Sequence, residues 1–143
     1  MPQTASDATR ALIARYYAAF NAEDAAGMLA CVTDDVEHRV NEGGIRRGRA
    51  QFADFCAHMG ACYRERLEDM VILVAEDGRR AAAEFTVQGR YLVTDPGLPS
   101  GLTAARGQAY VLPAGAFFTL RDGRIARIST FYNLADWIRQ VSA

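Results

Sequence analysis

Apolar side chains near the start of the chain recur every three or four residues. This spacing places one face of a helix toward a core, and the residues on that face are Leu12, Ile13, Tyr16, Tyr17 and Phe20. The pattern predicts a first helix from about Asp7 to Phe20, with Ser6 or Asp7 available as its cap. Asn21 suits the left-handed residue that ends such a helix. Asp24 suits the cap of a second, shorter helix, whose apolar side we expect at Met28, Leu29 and Val32.

The pattern then changes to the two-residue alternation of strands. Residues 35–41 and 45–47 predict a hairpin around the Glu-Gly-Gly turn at 42–44, and a third helix follows Gly48 and ends near residues 60–63. Four further strands are expected at 66–76, 80–94, 108–121 and 124–134, with Asp-Gly turns at 77–78 and 122–123. A last short helix is expected at 135–141. Helices followed by a long meander predict an α+β fold.

The composition describes one ordinary globular domain spanning residues 1–143. The 16 basic residues nearly balance the 17 acidic ones, and half of the 143 residues are hydrophobic, which does not favour a nucleic-acid partner. No segment is apolar enough to span a membrane, so we expect no membrane partner and a cytoplasmic location. Three cysteines without paired spacing, and histidines without metal spacing, predict neither a disulfide framework nor a metal site. We also expect no cofactor, because no phosphate-binding glycine loop is present.

Several segments, in their order and spacing, resemble one known superfamily: RYYAAFNAED, TDDVE, RRGRAQF and DGRIARI. The chain is similar to the ketosteroid-isomerase-related, SnoaL-like branch of the nuclear transport factor 2-like superfamily. The resemblance implies a cone-shaped curved antiparallel sheet wrapped around N-terminal helices, as in cystatin-like folds. It also places Tyr16 at the tyrosine that stabilises the oxyanion in ketosteroid isomerases. Val40 and Ala116 stand where those enzymes carry their catalytic base and their acidic donor, so that mechanism is incomplete here.

Strand alternation, oriented by this resemblance, predicts which side chains face a cavity. His38 shares a strand face with Val36 and Val40, so its imidazole is expected to point inward. The remaining predicted cavity residues come from the third helix and the later strands: Phe55, Met59, Phe85, Tyr110, Leu112, Ala116, Phe118, Ile128, Thr130 and Tyr132. Such a lining suits a small hydrophobic molecule with a carbonyl or hydroxyl group.

Two functions are compatible with this cavity. In the first, a cofactor-free isomerase, cyclase or dehydratase moves a proton next to a carbonyl, with His38 as the base and Tyr16 as the oxyanion donor, helped by Tyr132 or Thr130. In the second, a binding or accessory module holds an apolar metabolite without transforming it. Tyr16 then packs in the core and His38 is a structural histidine. Epoxide hydrolysis is disfavoured, because no acidic residue has a predicted inward orientation.

Three further features carry expectations. Exposed apolar residues on the outer sheet face, namely Val93, Val111, Phe117 and Phe131, predict a homodimer. The Gly- and Pro-rich segment 94–107 is either a lid over the cavity or a surface loop. Arg46, Arg47 and Arg49 either bind an anion or form a solvated basic turn, and His58 is expected to be exposed and without a role.

Overall fold

The computed structural model describes residues 3–99 and 102–143, which form one six-stranded sheet and four helices. The helices are α1 (Ala5–Asn21), α2 (Ala25–Leu29), α3 (Gly48–Cys62) and α4 (Leu134–Ser142). The strands are β1 (Val32–Val40), β2 (Arg46–Arg47), β3 (Tyr63–Val74), β4 (Arg80–Tyr91), β5 (Gln108–Arg121) and β6 (Arg124–Tyr132). The order across the sheet is β2-β1-β6-β5-β4-β3, and the sheet is curved and unclosed. The predicted α+β architecture is therefore confirmed.

The long strands pair as an antiparallel meander from β3 to β6. One pairing departs from the expected antiparallel sheet, because β1 runs parallel to β6, with His38 opposite Ile128 and Val40 opposite Thr130. After β1 the chain forms β2, α3 and then the meander from β3 to β6. The last strand, β6, lies next to β1, so the first and last long strands are neighbours in the sheet.

Helix α1 packs its apolar stripe on the inner face of the sheet. Ile13 is fully buried, and Tyr16 and Tyr17 are 4% and 6% exposed. Both tyrosine rings meet Phe118 of β5 edge-on, with centroids 6.2 and 6.0 Å apart. Edge-to-face packing of this kind adds about 0.5–1.5 kcal/mol per pair to the burial of the rings themselves. The aromatic stripe of α1 thus fixes this helix across the concave side of the sheet.

Several predicted boundaries are wrong by a few residues. The cap of α1 is Thr4, whose hydroxyl accepts a hydrogen bond from the amide of Asp7, rather than Ser6 or Asp7. Asn21 is the last helical residue, and the left-handed residue is Glu23 with φ 57°. Val32, expected on the second helix, begins β1 and is fully buried. Asp24 does cap α2, accepting from the amide of Gly27.

The loop after β4 is attached to the body of the protein at both ends. The amide of Asp95 donates to the Tyr91 hydroxyl (3.0 Å), and at the other end of the loop the amide of Gly107 donates to the Tyr91 carbonyl (2.8 Å). The middle of the predicted segment 94–107, residues 100 and 101, lies outside the described residues.

Among the residues that are described, no helix combines the length and the apolarity needed to cross a membrane.

Candidate active site

A cavity of about 700 Å³ lies between helices α1 and α3 and the inner face of the sheet. Tyr16 and His38 both border it, as the sequence predicts. The other predicted lining residues that border it are Val40, Phe55, Met59, Phe85, Tyr110, Leu112, Thr130 and Tyr132. Tyr63 and Trp137 add two more aromatic side chains. The cavity is therefore lined mainly by apolar side chains, many of them aromatic, and it is large enough for a flat organic molecule of several rings.

Three predicted lining residues do not border the cavity. Ala116, Phe118 and Ile128 are 1%, 0% and 1% exposed and belong to the packed core. Their inward orientation was predicted correctly, but the space above them is filled. Tyr16, for example, lies against Phe118. The alternation of a strand predicts toward which face a side chain points, but it does not predict whether other side chains pack on top of it.

His38 faces the cavity from β1 in a largely apolar environment. The residue is 4% exposed, and its ring lies 4.9 Å from the ring of Phe52 and 4.5 Å from that of Phe55. Burial, with the nearby charge of Arg46, lowers the pKa of His38 to about 4. Its Nδ1 is buried and has no hydrogen-bond partner among the described residues. At neutral pH the imidazole is therefore uncharged, and one of its nitrogens is unpaired.

Arg46 lies beside His38 and differs from its two arginine neighbours. It is opposite His38 in the β1–β2 pairing, and its guanidinium carbon is 4.1 Å above the centre of the Phe55 ring. Arg47 pairs with Glu37, and Arg49 pairs with Asp34 at the surface. Arg46 borders the cavity, and its Nη1 is buried without a partner among the described residues.

Tyr16 and Tyr132 present hydroxyl groups that remain protonated. Burial, with Tyr17 as the next cause, raises the pKa of Tyr16 well above its usual value. Burial, followed by the charges of Glu65 and Asp95, raises the pKa of Tyr132 to about 12. Within the described part of the chain, neither hydroxyl has a hydrogen-bond partner, and both side chains border the cavity. They are consequently available to donate to an oxygen of a bound molecule.

The most informative unpredicted group is a carboxyl inside the cavity, that of Glu65 on β3. The Tyr110 hydroxyl donates to Glu65 Oε2 at 2.6 Å, reaching across the intervening strand β4. It can do so because Gly89 lies between them, opposite Glu65 on one side and Tyr110 on the other. A Cβ atom at Gly89 would lie 2.6 Å from the Tyr110 hydroxyl oxygen and closer still to the ring. Burial raises the pKa of Glu65, and the hydrogen bond from Tyr110 partly opposes this shift.

A second carboxyl, Asp95, borders the same side of the cavity. It accepts from the Tyr63 hydroxyl (2.7 Å) and the Gly97 amide (2.8 Å), and its Oδ1 lies 2.9 Å from His58 Nε2. These contacts hold the pKa of Asp95 below its usual value although burial alone would raise it. Asp95 is thus an ionised, fully engaged carboxylate that anchors the loop after β4.

His58 is therefore a partly buried partner of Asp95 rather than the free surface residue expected from the sequence. Potential metal ligands occur here as well, since side-chain atoms of His58, Cys62 and Asp95 lie within 4.8 Å of one another. However, Asp95 already binds His58 and Tyr63 directly, so a metal ion would have to replace those hydrogen bonds. The group carries no role in the function proposed below.

The expectation that no acidic residue faces the cavity is wrong for both Glu65 and Asp95. Strand β3 begins at Tyr63, three residues before its predicted start, and from there Tyr63, Glu65 and Leu67 share the inner face. The sequence could have indicated this orientation of Glu65. In a strand that begins at Tyr63, Glu65 is on the same face as the apolar Tyr63 and Leu67, and Arg64 and Arg66 are on the other face. Asp95 gave no comparable signal, since it lies in a loop.

An open curved sheet that encloses an aromatic cavity with a few polar groups defines a class of small-molecule pocket proteins. The chain belongs to the family of the SnoaL-like domain, whose model matches residues 13–128. It is 57% identical to a candidate polyketide cyclase from Silicibacter sp. TM1040, over 100% of both chains and with a TM-score of 0.90.

Two further solved structures are similarly related. A candidate polyketide cyclase from Pseudomonas putida KT2440 is 51% identical, with 98% of this chain and 99% of that chain covered and a TM-score of 0.88. One from Xanthomonas campestris pv. campestris is 46% identical, with 96% and 99% covered and a TM-score of 0.90. Among proteins of curated function, no sequence matches this chain.

Proposed function

We propose that this protein is a small-molecule cyclase or isomerase that needs no cofactor and transfers a proton next to a carbonyl group of a flat, hydrophobic substrate. The family and the description of its relatives as candidate polyketide cyclases support the class of reaction. The observation that carries the proposal is the carboxyl of Glu65, which borders an aromatic cavity and whose pKa is raised by burial. Carboxyl groups in such surroundings are suited to general acid–base catalysis near neutral pH.

Glu65 is a better base than His38, the base expected from the sequence. A base is effective when its pKa approaches the working pH. The pKa of His38 is lowered away from neutrality and that of Glu65 is raised toward it. We therefore assign proton removal to Glu65, with Tyr110 holding its Oε2 and leaving the carboxyl directed at the cavity. His38 contacts the ligand as a neutral imidazole.

Tyr16 keeps its proposed role as a donor to the developing enolate oxygen, and Tyr132 is a second donor near Glu65. The raised pKa of each hydroxyl keeps the proton in place to be donated. The carbon–hydrogen bond next to the carbonyl breaks, its proton passes to Glu65, and the electron pair moves onto the carbonyl oxygen that the tyrosines stabilise. In an isomerisation Glu65 returns the proton to a different carbon. In a cyclisation the enolate carbon bonds to a second carbonyl carbon, and the oxygen of that carbonyl takes the proton from Glu65.

Proton exchange tests this proposal without knowledge of the natural substrate. A panel of flat aromatic ketones and cyclic enones, among them 2-acetylnaphthalene, is incubated with the protein in D₂O, and loss of the proton signal beside the carbonyl is followed by NMR. Glu65→Gln is expected to lower the exchange rate about 100- to 10,000-fold, and Tyr16→Phe roughly 100-fold. Glu76→Gln is the matched control, since Glu76 is an exposed glutamate in the turn between β3 and β4 and does not border the cavity.

Absence of exchange for the whole panel, or an unchanged rate in Glu65→Gln, would refute the catalytic proposal. The second candidate, a module that binds an apolar metabolite, would then be favoured by the size and aromatic lining of the cavity. Binding would be followed by the fluorescence of Trp137, the one tryptophan of the chain, which borders the cavity.

We further propose that two copies pair through the outer face of the sheet. Phe117 and Phe131 are 53% and 45% exposed, and their rings contact each other edge-on with centroids 6.0 Å apart. Val111 on β5 and Val71 and Leu73 on β3 extend the same apolar surface, each about half exposed or more. A second copy would cover this surface and remove it from water.

A further inference from the structure

At one end of the cavity, the cationic Arg46 lies beside the neutral imidazole of His38. These residues are paired across β1 and β2, and both lie against the ring of Phe55. Each has a buried nitrogen without a partner among the described residues, Nη1 in Arg46 and Nδ1 in His38. Two unpaired polar nitrogens beside the same aromatic ring, at the edge of a cavity, are unusual, because a buried donor that lacks a partner costs free energy.

Arg46 is also a cation without a counter-ion in the part of the chain that the structure describes. Glu37, which lies on β1 of the same hairpin, pairs with Arg47 instead. Arg46 is only partly exposed, so water solvates its charge incompletely, and this burial lowers its pKa. A partly desolvated guanidinium that is not paired within the protein is suited to an anionic oxygen brought by a ligand.

The acidic groups of the cavity do not neutralise this end. Arg46 is the charged group that acts on His38, whereas neither Glu65 nor Asp95 contributes to the pKa shift of the imidazole. Arg46 is on β2 and Glu65 is on β3, the two opposite edge strands of the sheet, and Asp95 accepts a hydrogen bond from Tyr63 at the start of β3. The cavity is therefore polarised, with Arg46 and His38 at one end and the carboxyls at the other.

We infer that Arg46 and His38 form a subsite for an anionic oxygen, and that the ligand of this cavity is a flat aromatic molecule carrying a carboxylate, enolate or phenolate group. Arg46 donates through Nη1, and His38 donates through Nδ1 when its proton is on that nitrogen. The ring of Phe55 lies against both groups and limits the access of water. This inference rests on the proposed use of the cavity as a ligand site, but it does not depend on proton transfer.

Binding of two nearly isosteric probes tests the inference. 2-Naphthoate and 2-acetylnaphthalene have the same ring system and differ in whether the substituent carries a negative charge. Titration calorimetry at pH 7 and low salt is expected to give about 10- to 100-fold tighter binding of the naphthoate, as hydrogen bonds to charged groups imply. Arg46→Met keeps most of the apolar stem and is expected to remove this preference while changing the affinity for the ketone less than about twofold.

Two further variants complete the test. Arg47→Met removes a neighbouring arginine that does not border the cavity, and it should leave the preference for naphthoate unchanged. Arg46→Lys retains a charge without the planar fork and should retain part of the preference. Equal binding of both probes by the unmodified protein, or a preference that survives in Arg46→Met, would overturn the subsite while leaving the cavity as the ligand site. Failure of both probes to bind would count against the subsite and the proposed ligand site together.

Discussion

Replacing Gly89 with alanine should disrupt the interaction between Glu65 and Tyr110. The new Cβ atom would lie 2.6 Å from the Tyr110 hydroxyl oxygen and closer still to the ring, so the ring has to move. Its movement breaks the 2.6 Å hydrogen bond to Glu65. Losing a hydrogen bond to a charged group costs about 1.5–3 kcal/mol, and overpacking costs about 1–3 kcal/mol. After the gain of about 0.5–1 kcal/mol from replacing glycine within a strand, a net destabilisation of about 2–5 kcal/mol is expected.

Urea denaturation followed by tryptophan fluorescence measures this change. Trp137 is a suitable reporter, because its ring lies edge-on to Tyr110 with centroids 6.1 Å apart. The same Gly89→Ala substitution is repeated in two backgrounds, all at one protein concentration. With Tyr110→Phe the steric term remains and the hydrogen-bond term is absent, so the cost should fall by about 1.5–3 kcal/mol. With Tyr110→Val the ring is gone, and the alanine should be neutral or slightly stabilising.

Equal costs of Gly89→Ala in all three backgrounds would refute this explanation, since the penalty would then not involve Tyr110. A second readout links the contact to function. The tyrosine positions the carboxyl, so Gly89→Ala should reduce the ketone exchange rate and change its pH profile, whereas a purely structural effect would lower only stability. The conservative variant Tyr110→Phe should shift the same profile to higher pH, because it removes the bond that opposes the raised pKa of Glu65.

Three further predictions concern other parts of the molecule. The pKa of His38 is lowered from 6.5 to about 4. Between pH 6.5 and about pH 4 the imidazole therefore binds a proton in the unfolded chain and not in the native state. The free energy of unfolding should consequently fall by about 3 kcal/mol as the pH drops from 6.5 to about 4. NMR titration should show a His38 ring that stays neutral down to about pH 5, and a midpoint near 6.5 would contradict its burial. Gly60→Ala in α3 should stabilise the protein by up to ~1 kcal/mol in urea denaturation, because the added methyl group would meet no atom within 4 Å beyond the adjacent residues and the backbone of its own helix. A loss of stability would show that the site is crowded. Phe117→Glu should convert the proposed dimer to monomers in light scattering without a change in fold, and a single-subunit mass for the unmodified protein would refute the dimer.

The amino-acid sequence by itself determined which elements form and which way most side chains point. The three- and four-residue spacing of Leu12, Ile13, Tyr16 and Phe20 placed the helix, and the Asp-Gly turns at 77–78 and 122–123 delimited the meander. The two-residue period of β1 directed His38 inward, where the structure has it. These features are local, and one turn or one strand of sequence is enough to encode them.

The tertiary structure decided which side chains border the cavity and how their surroundings shift their pKa values. Ala116, Phe118 and Ile128 point inward like the true lining residues, but they are buried in the core, where for example Tyr16 of α1 packs on Phe118. The hydrogen bond between Glu65 and Tyr110 joins residues 45 positions apart across a glycine on a third strand. The pKa values of Glu65 and His38 depend on burial by distant elements, because desolvation is set by everything that surrounds a group rather than by its neighbours in sequence.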